Sequence, residues 1–172
     1  GAARAGPVEP GAGVWPPPGH KGHRLSVHAV TWNMNGKVPP MDDLGPLLGV
    51  GHAGGAADLV VVGSQEGAAA KEWEKALAAA LSGYTSLGSS ALMAIHIAAF
   101  VKDELAPQAS GVKLEKVATG VGNFVGNKGG VGVSFELGGA RLLFINSHFA
   151  AHQNNIDDRN SNYTRIAAGL FK

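Results

Sequence analysis

The chain has 172 residues, 45% of them apolar, with 14 basic and 13 acidic side chains and a net charge of +1. That is enough for one domain with a real core; it excludes a disordered polyelectrolyte and gives no support for a strongly basic nucleic-acid binder. With no cysteine, disulfides and thiolate metal sites are excluded, and a reducing compartment is compatible.

No apolar run reaches the ~20 residues that a membrane-spanning helix needs. The chain starts at Gly1 rather than Met and ends at Lys172 just after helix-like residues, so a piece of a longer protein is expected. Residues 1–23 are rich in Gly, Pro and Ala and read as a flexible leader that cannot bury enough apolar surface to order itself. From Leu25 the pattern changes. LSVHAVTWN reads as a strand, DLGPLLG as a helical turn and GHAGGAA as a flexible connection. DLVVVGSQE is a continuous apolar run of strand length, the signature of a strand buried on both faces.

AAAKEWEKALAAALS is the clearest helix, with Trp73, Leu77 and Leu81 at i, i+4 and i+8 and Gly83 as a stop. ALMAIHIAAFVK reads as one strand with Met93, Ile95, Ile97 and Val101 on alternate positions. VKLEKVAT alternates likewise, with Lys113 and Glu115 outward, and a Gly-rich loop, GVGNFVGNKGG, follows. VGVSFELGGARLLFIN reads as a hairpin turning at Gly138-Gly139. DDRNSNYTRIAAGLF opens with cap-like residues and closes apolar, a second helix. Strands outnumber helices and one pairing is antiparallel, which argues for a mixed α/β layered sandwich rather than a strictly alternating, parallel sheet.

Three apolar strands end in ligand chemistry: Asn33 to Asn35, Gln65-Glu66, and Asn146-Ser147-His148. Such groups are costly to bury unpaired; on one rim they would converge on a polar site. Asn and Glu offer only hard oxygen ligands, which suits Mg²⁺. Each residue also has a plain reading. Asn33 or Asn35 can be a turn former, and Glu66 a carboxylate at a helix N-terminus. The Gly-rich loop is no Walker A, because Lys128 is followed by Gly129 and a strand. Its amides with Lys128 can still form an anion-binding nest, or it is a plain connection.

His148 and His152 are four apart. A zincin pair needs a helix and a Glu directly after the first His; Phe149 stands there, after an apolar strand. A structural zinc site is therefore disfavoured. Arg159 and Asn160 follow as phosphate donors, with a surface ion pair to Asp157 or Asp158 as the plain alternative for Arg159. His28 reads as a strand-face residue, His52 as a loop residue and His96 as a packed one. The sequon Asn162-Tyr163-Thr164 reads as chance.

TWNMNG, DLVVVGSQE, GNFVGNKGGVGVSF and FINSHFAAHQNNIDDRNSNYTRI, in that order, resemble the inositol polyphosphate 5-phosphatases of the endonuclease/exonuclease/phosphatase superfamily. The resemblance runs from about Leu25 onward and is weak over residues 36–57. It implies a DNase I-like four-layer α/β sandwich of mixed β-sheets flanked by helices, truncated, in which residues 24–172 form the N-terminal part of a catalytic domain. It implies Mg²⁺-dependent removal of the 5-phosphate from phosphoinositides or soluble inositol polyphosphates. Glu66 resembles the metal-binding glutamate, with Asn33 supporting metal and phosphate and Asn35 close by. His148 resembles the histidine that stabilises the scissile phosphate. Asn127 and Lys128 would face the inositol phosphate, and His152, Arg159 and Asn160 would line or brace the pocket. The family's GDLNYR-like and WCDR-like motifs and its final Asp-His pair are absent from the chain, so this piece alone is expected to turn over negligibly. The implied setting is cytoplasmic, with peripheral membrane contact open and no nucleic acid as partner. An endonuclease of the same superfamily and a non-catalytic phosphoinositide-binding module are the alternatives.

Overall fold

The computed structural model describes residues 24–38, 43–50, 56–120 and 128–171. The leader at 1–23, His52 in its glycine-rich connection, and Asn127 lie outside the described residues. Two sheets are formed. The first contains β1 (Val27–Asn33), β2 (Leu59–Gln65), β3 (Tyr84–Leu92) and β4 (Ile95–Lys102), in the order β1-β2-β4-β3. β1 runs parallel to β2, and the other pairs are antiparallel. The second sheet, β5 (Ala109–Ala118), β6 (Gly129–Leu137) and β7 (Ala140–His148), is antiparallel throughout. Mixed pairing is thus confined to the first sheet among the described residues.

The unbroken apolar run of β2 has a direct structural counterpart, since all its residues are buried. Leu59 and Val61, with Ile95 and Ile97 of β4, face the second sheet and pack with Val131, Val133 and Phe135 of β6. Val60 and Val62 point the other way, into a second cluster with Leu48, Phe100 and Leu77. That cluster is roofed by α1 (Gly45–Leu48) and α2 (Ala70–Ala80). The i, i+4, i+8 stripe of Trp73, Leu77 and Leu81 is fully buried, and Trp73 meets Trp32 of β1 edge to face at 6.2 Å.

The fourth layer is α3 (Ile156–Gly169), on the outer face of the second sheet. It sits in notches where side chains are missing. A Cβ on Gly130 would lie 2.8 Å from Ile166 Cγ2, and one on Gly169 2.6 Å from Val117 Cγ2. The layers are therefore helix, sheet, sheet, helix.

One expectation is corrected. Residues 91–102 are not one strand: the chain turns at Met93-Ala94 between β3 and β4. Met93 has φ 51° and is exposed rather than a core residue. The strand that precedes the turn, β3, is YTSLGSSAL, whose small polar residues give no period-two apolar signal. It is held at the sheet edge by its ladder to β4, with an irregularity between Ser86 and Gly88. The hairpin at Gly138-Gly139 stands, and both glycines have positive φ, as a tight two-residue turn requires.

At the rim where β1 and β2 begin, Asp58 ties three strands together. It accepts from the Ser26 amide at 2.9 Å and from the Ser26 hydroxyl at 2.7 Å, and its other oxygen meets Lys102 Nζ at 2.9 Å. Burial alone would raise the Asp58 pKa, but the Ser26 amide, the Lys102 ammonium and the Ser26 hydroxyl outweigh it and hold the carboxyl below its usual 3.8. A depressed carboxylate contributes stability above its unfolded pKa that is lost as pH falls through the folded value. Asp58→Asn is therefore expected to lower the melting temperature at pH 7, with the gap to wild type closing below about pH 4. A gap independent of pH would show that the clamp is not ionic.

Candidate functional site

The opposite rim, where β1, β2 and β7 end and β6 begins, gathers the polar residues. Register fixes the placement: Asn33 pairs with Gln65, and His148 with Gly129. Pairing runs past the end of the β1–β2 ladder through Met34 N–H to Gln65 C=O at 2.8 Å and Gly36 N–H to Glu66 C=O at 2.9 Å. These bonds bring the Asn33–Gly36 turn alongside Glu66.

Glu66 adopts φ 54°, a left-handed conformation that costs a non-glycine residue about 1–2 kcal/mol. Strain of this kind persists where the surroundings over-determine it, and it clusters at functional sites. The bend turns the Glu66 carboxylate toward β7. Its Oε1 is 3.3 Å from His148 Nε2, and Lys128 Nζ donates to the same Nε2 at 2.9 Å. One nitrogen cannot both accept from Lys128 and donate to Glu66. Its role follows the tautomer, and because Lys128 Nζ also lies 3.5 Å from Nδ1, the imidazole is held between the ammonium and the carboxylate. Burial lowers the Lys128 pKa, partly offset by the negative charge of Glu66. The Lys128 ammonium has three donors, so it can hold His148 and still reach an anion.

Beneath this trio lies a network of Asn146 and Gln65, which the residue pattern placed at strand ends facing a polar site rather than between the sheets. Asn146 points inward, as do Phe144 and Leu142 two and four residues earlier, and its Nδ2 donates to Ser64 C=O and His96 C=O, both at 2.8 Å. Its Oδ1 accepts from Gln65 Nε2, which also reaches Thr31 Oγ1 at 3.1 Å. One carboxamide thus bolts β7 to β2 and β4 of the other sheet. Gly63 makes room for it, since a Cβ there would lie 2.8 Å from Asn146 Cγ. The available signal was parity: a polar side chain at an inward position of an apolar strand must be satisfied by something.

The other expected site residues lie as follows. Asn33 Oδ1 accepts from the Asn35 amide at 2.9 Å, with Asn35 at φ 51°. Both therefore form the turn, leaving the Asn33 amide group as a donor at the rim. His152, Arg159 and Asn160 make local bonds. Arg159 donates to His152 C=O at 2.5 Å and Gln153 C=O at 2.9 Å, so its guanidinium braces the β7–α3 connection. The Asn160 carbonyl accepts from Thr164 Oγ1 at 3.0 Å. Asn162 is buried and its Oδ1 accepts from the Ala150 amide at 2.9 Å, which closes the sequon to a glycan. His96 is buried as expected. Burial pushes its pKa down against the pull of Glu74, whose Oε1 lies 2.8 Å from His96 Nε2.

The model of endonuclease/exonuclease/phosphatase family 2 matches residues 30–172. The chain belongs to that family. Among curated proteins it is similar to phosphatidylinositol polyphosphate 5-phosphatase type IV of Homo sapiens, at 32% identity over 148 residues, covering 85% of this chain and 23% of the relative. It is 35% identical over 161 residues to phosphatidylinositol 3,4,5-trisphosphate 5-phosphatase 2A of Danio rerio, covering 85% of this chain and 13% of that one. Among solved structures it resembles the inositol polyphosphate 5-phosphatase domain of a synaptojanin in complex with inositol (1,4)-bisphosphate and calcium ion. The TM-score is 0.75 at 30% identity, covering 85% of this chain and 46% of that one. The sandwich is thus DNase I-like. A Cimex nitrophorin matches at TM-score 0.63 and 21% identity, a likeness of fold alone. The chain spans about a quarter or less of the length of these curated relatives.

The superfamily is typically metal-dependent. The described residues contain no cluster of three or more His, Asp or Glu that could hold a metal, which excludes an all-protein cage among them. One partly exposed carboxylate, Glu66, whose backbone carries the Asn33–Gly36 turn, fits a hard divalent cation that keeps most of its waters.

Proposed function

We propose that this chain forms part of the catalytic centre of a phosphomonoesterase that removes the 5-phosphate from phosphoinositides or soluble inositol polyphosphates with Mg²⁺. One observation carries the reading: the convergence of Glu66, His148 and Lys128 from three strand ends onto one imidazole nitrogen. The relatives' activity toward inositol phosphates supports it. So does the pairing of charges, because one carboxylate and one ammonium meet at the same imidazole. A divalent cation would tip such a rim toward a phosphate dianion.

Glu66 and the Asn33–Asn35 turn would hold the cation, which when bound supplies Lewis-acid charge at the phosphate and the leaving oxygen. Lys128, joined by Asn127, would hold phosphate oxygens of the ligand. The Asn33 amide and His148 would donate where charge builds in the transition state; for His148 this requires Nε2 to carry a proton and Lys128 to turn to the phosphate. His152, Arg159 and Asn160 would shape the pocket wall through the β7–α3 connection.

The test is inorganic phosphate release from phosphatidylinositol 4,5-bisphosphate vesicles by the intact protein. Glu66→Gln is expected to cut kcat/KM about a thousandfold, roughly 4 kcal/mol of barrier, with vesicle binding retained. Unchanged turnover would remove Glu66 from the chemistry. Wild type that binds the vesicles without Mg²⁺-dependent release would be a binding module, and cleavage of abasic-site DNA would favour a nuclease.

A further inference from the structure

We propose that Arg165 is a positioning residue, which from α3 pins the base of the β5–β6 connection and thereby places Lys128 at the rim. The proposal rests on Lys128 being the phosphate ligand described above. Arg165 Nη1 donates to Thr119 C=O at 3.0 Å and Nη2 to Ala118 C=O at 3.4 Å, two successive carbonyls where β5 ends. The Thr119 amide in turn donates to Lys128 C=O at 3.0 Å, closing the connection at its base. Lys128 Nζ then reaches His148 Nε2 at 2.9 Å. Four hydrogen-bonding groups thus link a helix on the outer face to an imidazole on the inner rim.

The seating of α3 does not depend on Arg165. Ile166 and Leu170 are buried, and the helix is keyed into Gly130, while its own Gly169 closes on Val117. A long cationic side chain in the last turns of a helix could as well extend into solvent. Here its planar fork is committed to the strand end, a rigid two-point contact that a lysine cannot reproduce. Gly129 leaves no slack on the other side, since a Cβ there would lie 2.7 Å from Leu92 Cδ2. The position of Lys128 is therefore set from both directions, by Arg165 through Thr119 and by the packing of Gly129.

The experiment uses the full chain and two readouts. In Arg165→Met, amide hydrogen exchange at Thr119 is expected to speed up about tenfold or more, with β2 and α2 amides unchanged, because only a local opening is eased. In a binding cycle with inositol 1,4,5-trisphosphate, Arg165→Met should weaken affinity about fivefold in wild type and less than about twofold in Lys128→Met, the mark of a residue acting through another. Arg165→Lys, which keeps the charge and one donor, should give a smaller local effect and guards against a variant that fails to fold. Unchanged Thr119 exchange, or additive losses in the cycle, would overturn the proposal. If Lys128→Met alone leaves binding intact, the phosphate-ligand reading falls, and the exchange arm still decides whether Arg165 pins the strand end.

Discussion

Replacing Asn146 with leucine is expected to destabilise the protein by about 3–5 kcal/mol, a large share of the stability of an ordinary domain. Leucine is similar in size, so the loss is not one of volume. It takes the Nδ2 donor away from the Ser64 and His96 carbonyls, both bonded at 2.8 Å, and removes one of the two acceptors of Gln65 Nε2. Each buried polar group left unmatched costs roughly 1–3 kcal/mol. A chain of this size loses about 2–4 °C of melting temperature per kcal/mol, so the expected fall is on the order of 10 °C. Gln65 then keeps only Thr31 as a side-chain partner, and it neighbours Glu66, so activity should fall further than stability. A melting temperature within about 2 °C of wild type would mean that the two sheets are held by their apolar faces alone.

Gly129→Ala is expected to act on rate more than on stability. A methyl group at this position would meet the Val117 carbonyl oxygen, with Leu92 Cδ2 at 2.7 Å and Ala118 Cα at 3.2 Å. Neither backbone contact can turn aside, so β5 and β6 must part where Lys128 enters the rim. Overpacking of this sort costs about 1–3 kcal/mol, and misplacing a ligand by about 1 Å can cost a hundredfold in rate. The variant should therefore melt only moderately lower while kcat/KM for phosphate release drops about a hundredfold. Equal, small losses in both would show that Lys128 tolerates displacement.

What could be read in advance divides along physical lines. β2 was legible because a strand buried on both faces needs an unbroken apolar stretch, here Leu59–Val62, and α2 because its buried stripe repeats every four residues. β3 was not legible, because Tyr84–Leu92 is held by ladder bonds to β4 and offers few apolar side chains. The same absence made Met93 look like a strand residue when it is a turn at φ 51°. Arg159 was a fair candidate for phosphate by chemistry alone. Its donors instead go to the carbonyls of residues 152 and 153, a local satisfaction that residue type cannot reveal.

Residue order alone was enough for the layered α/β architecture and for the strand ends that carry Asn33, Glu66 and His148. These follow from periodicity and residue chemistry, which are local. It took the packed molecule to bring Glu66 and Lys128 onto one nitrogen of His148, to set Asn146 between the sheets beneath them, and to carry Arg165 to the base of the Lys128 strand. Those contacts link residues 20 to 82 positions apart. They are set by strand register and sheet-on-sheet packing, which no local pattern encodes.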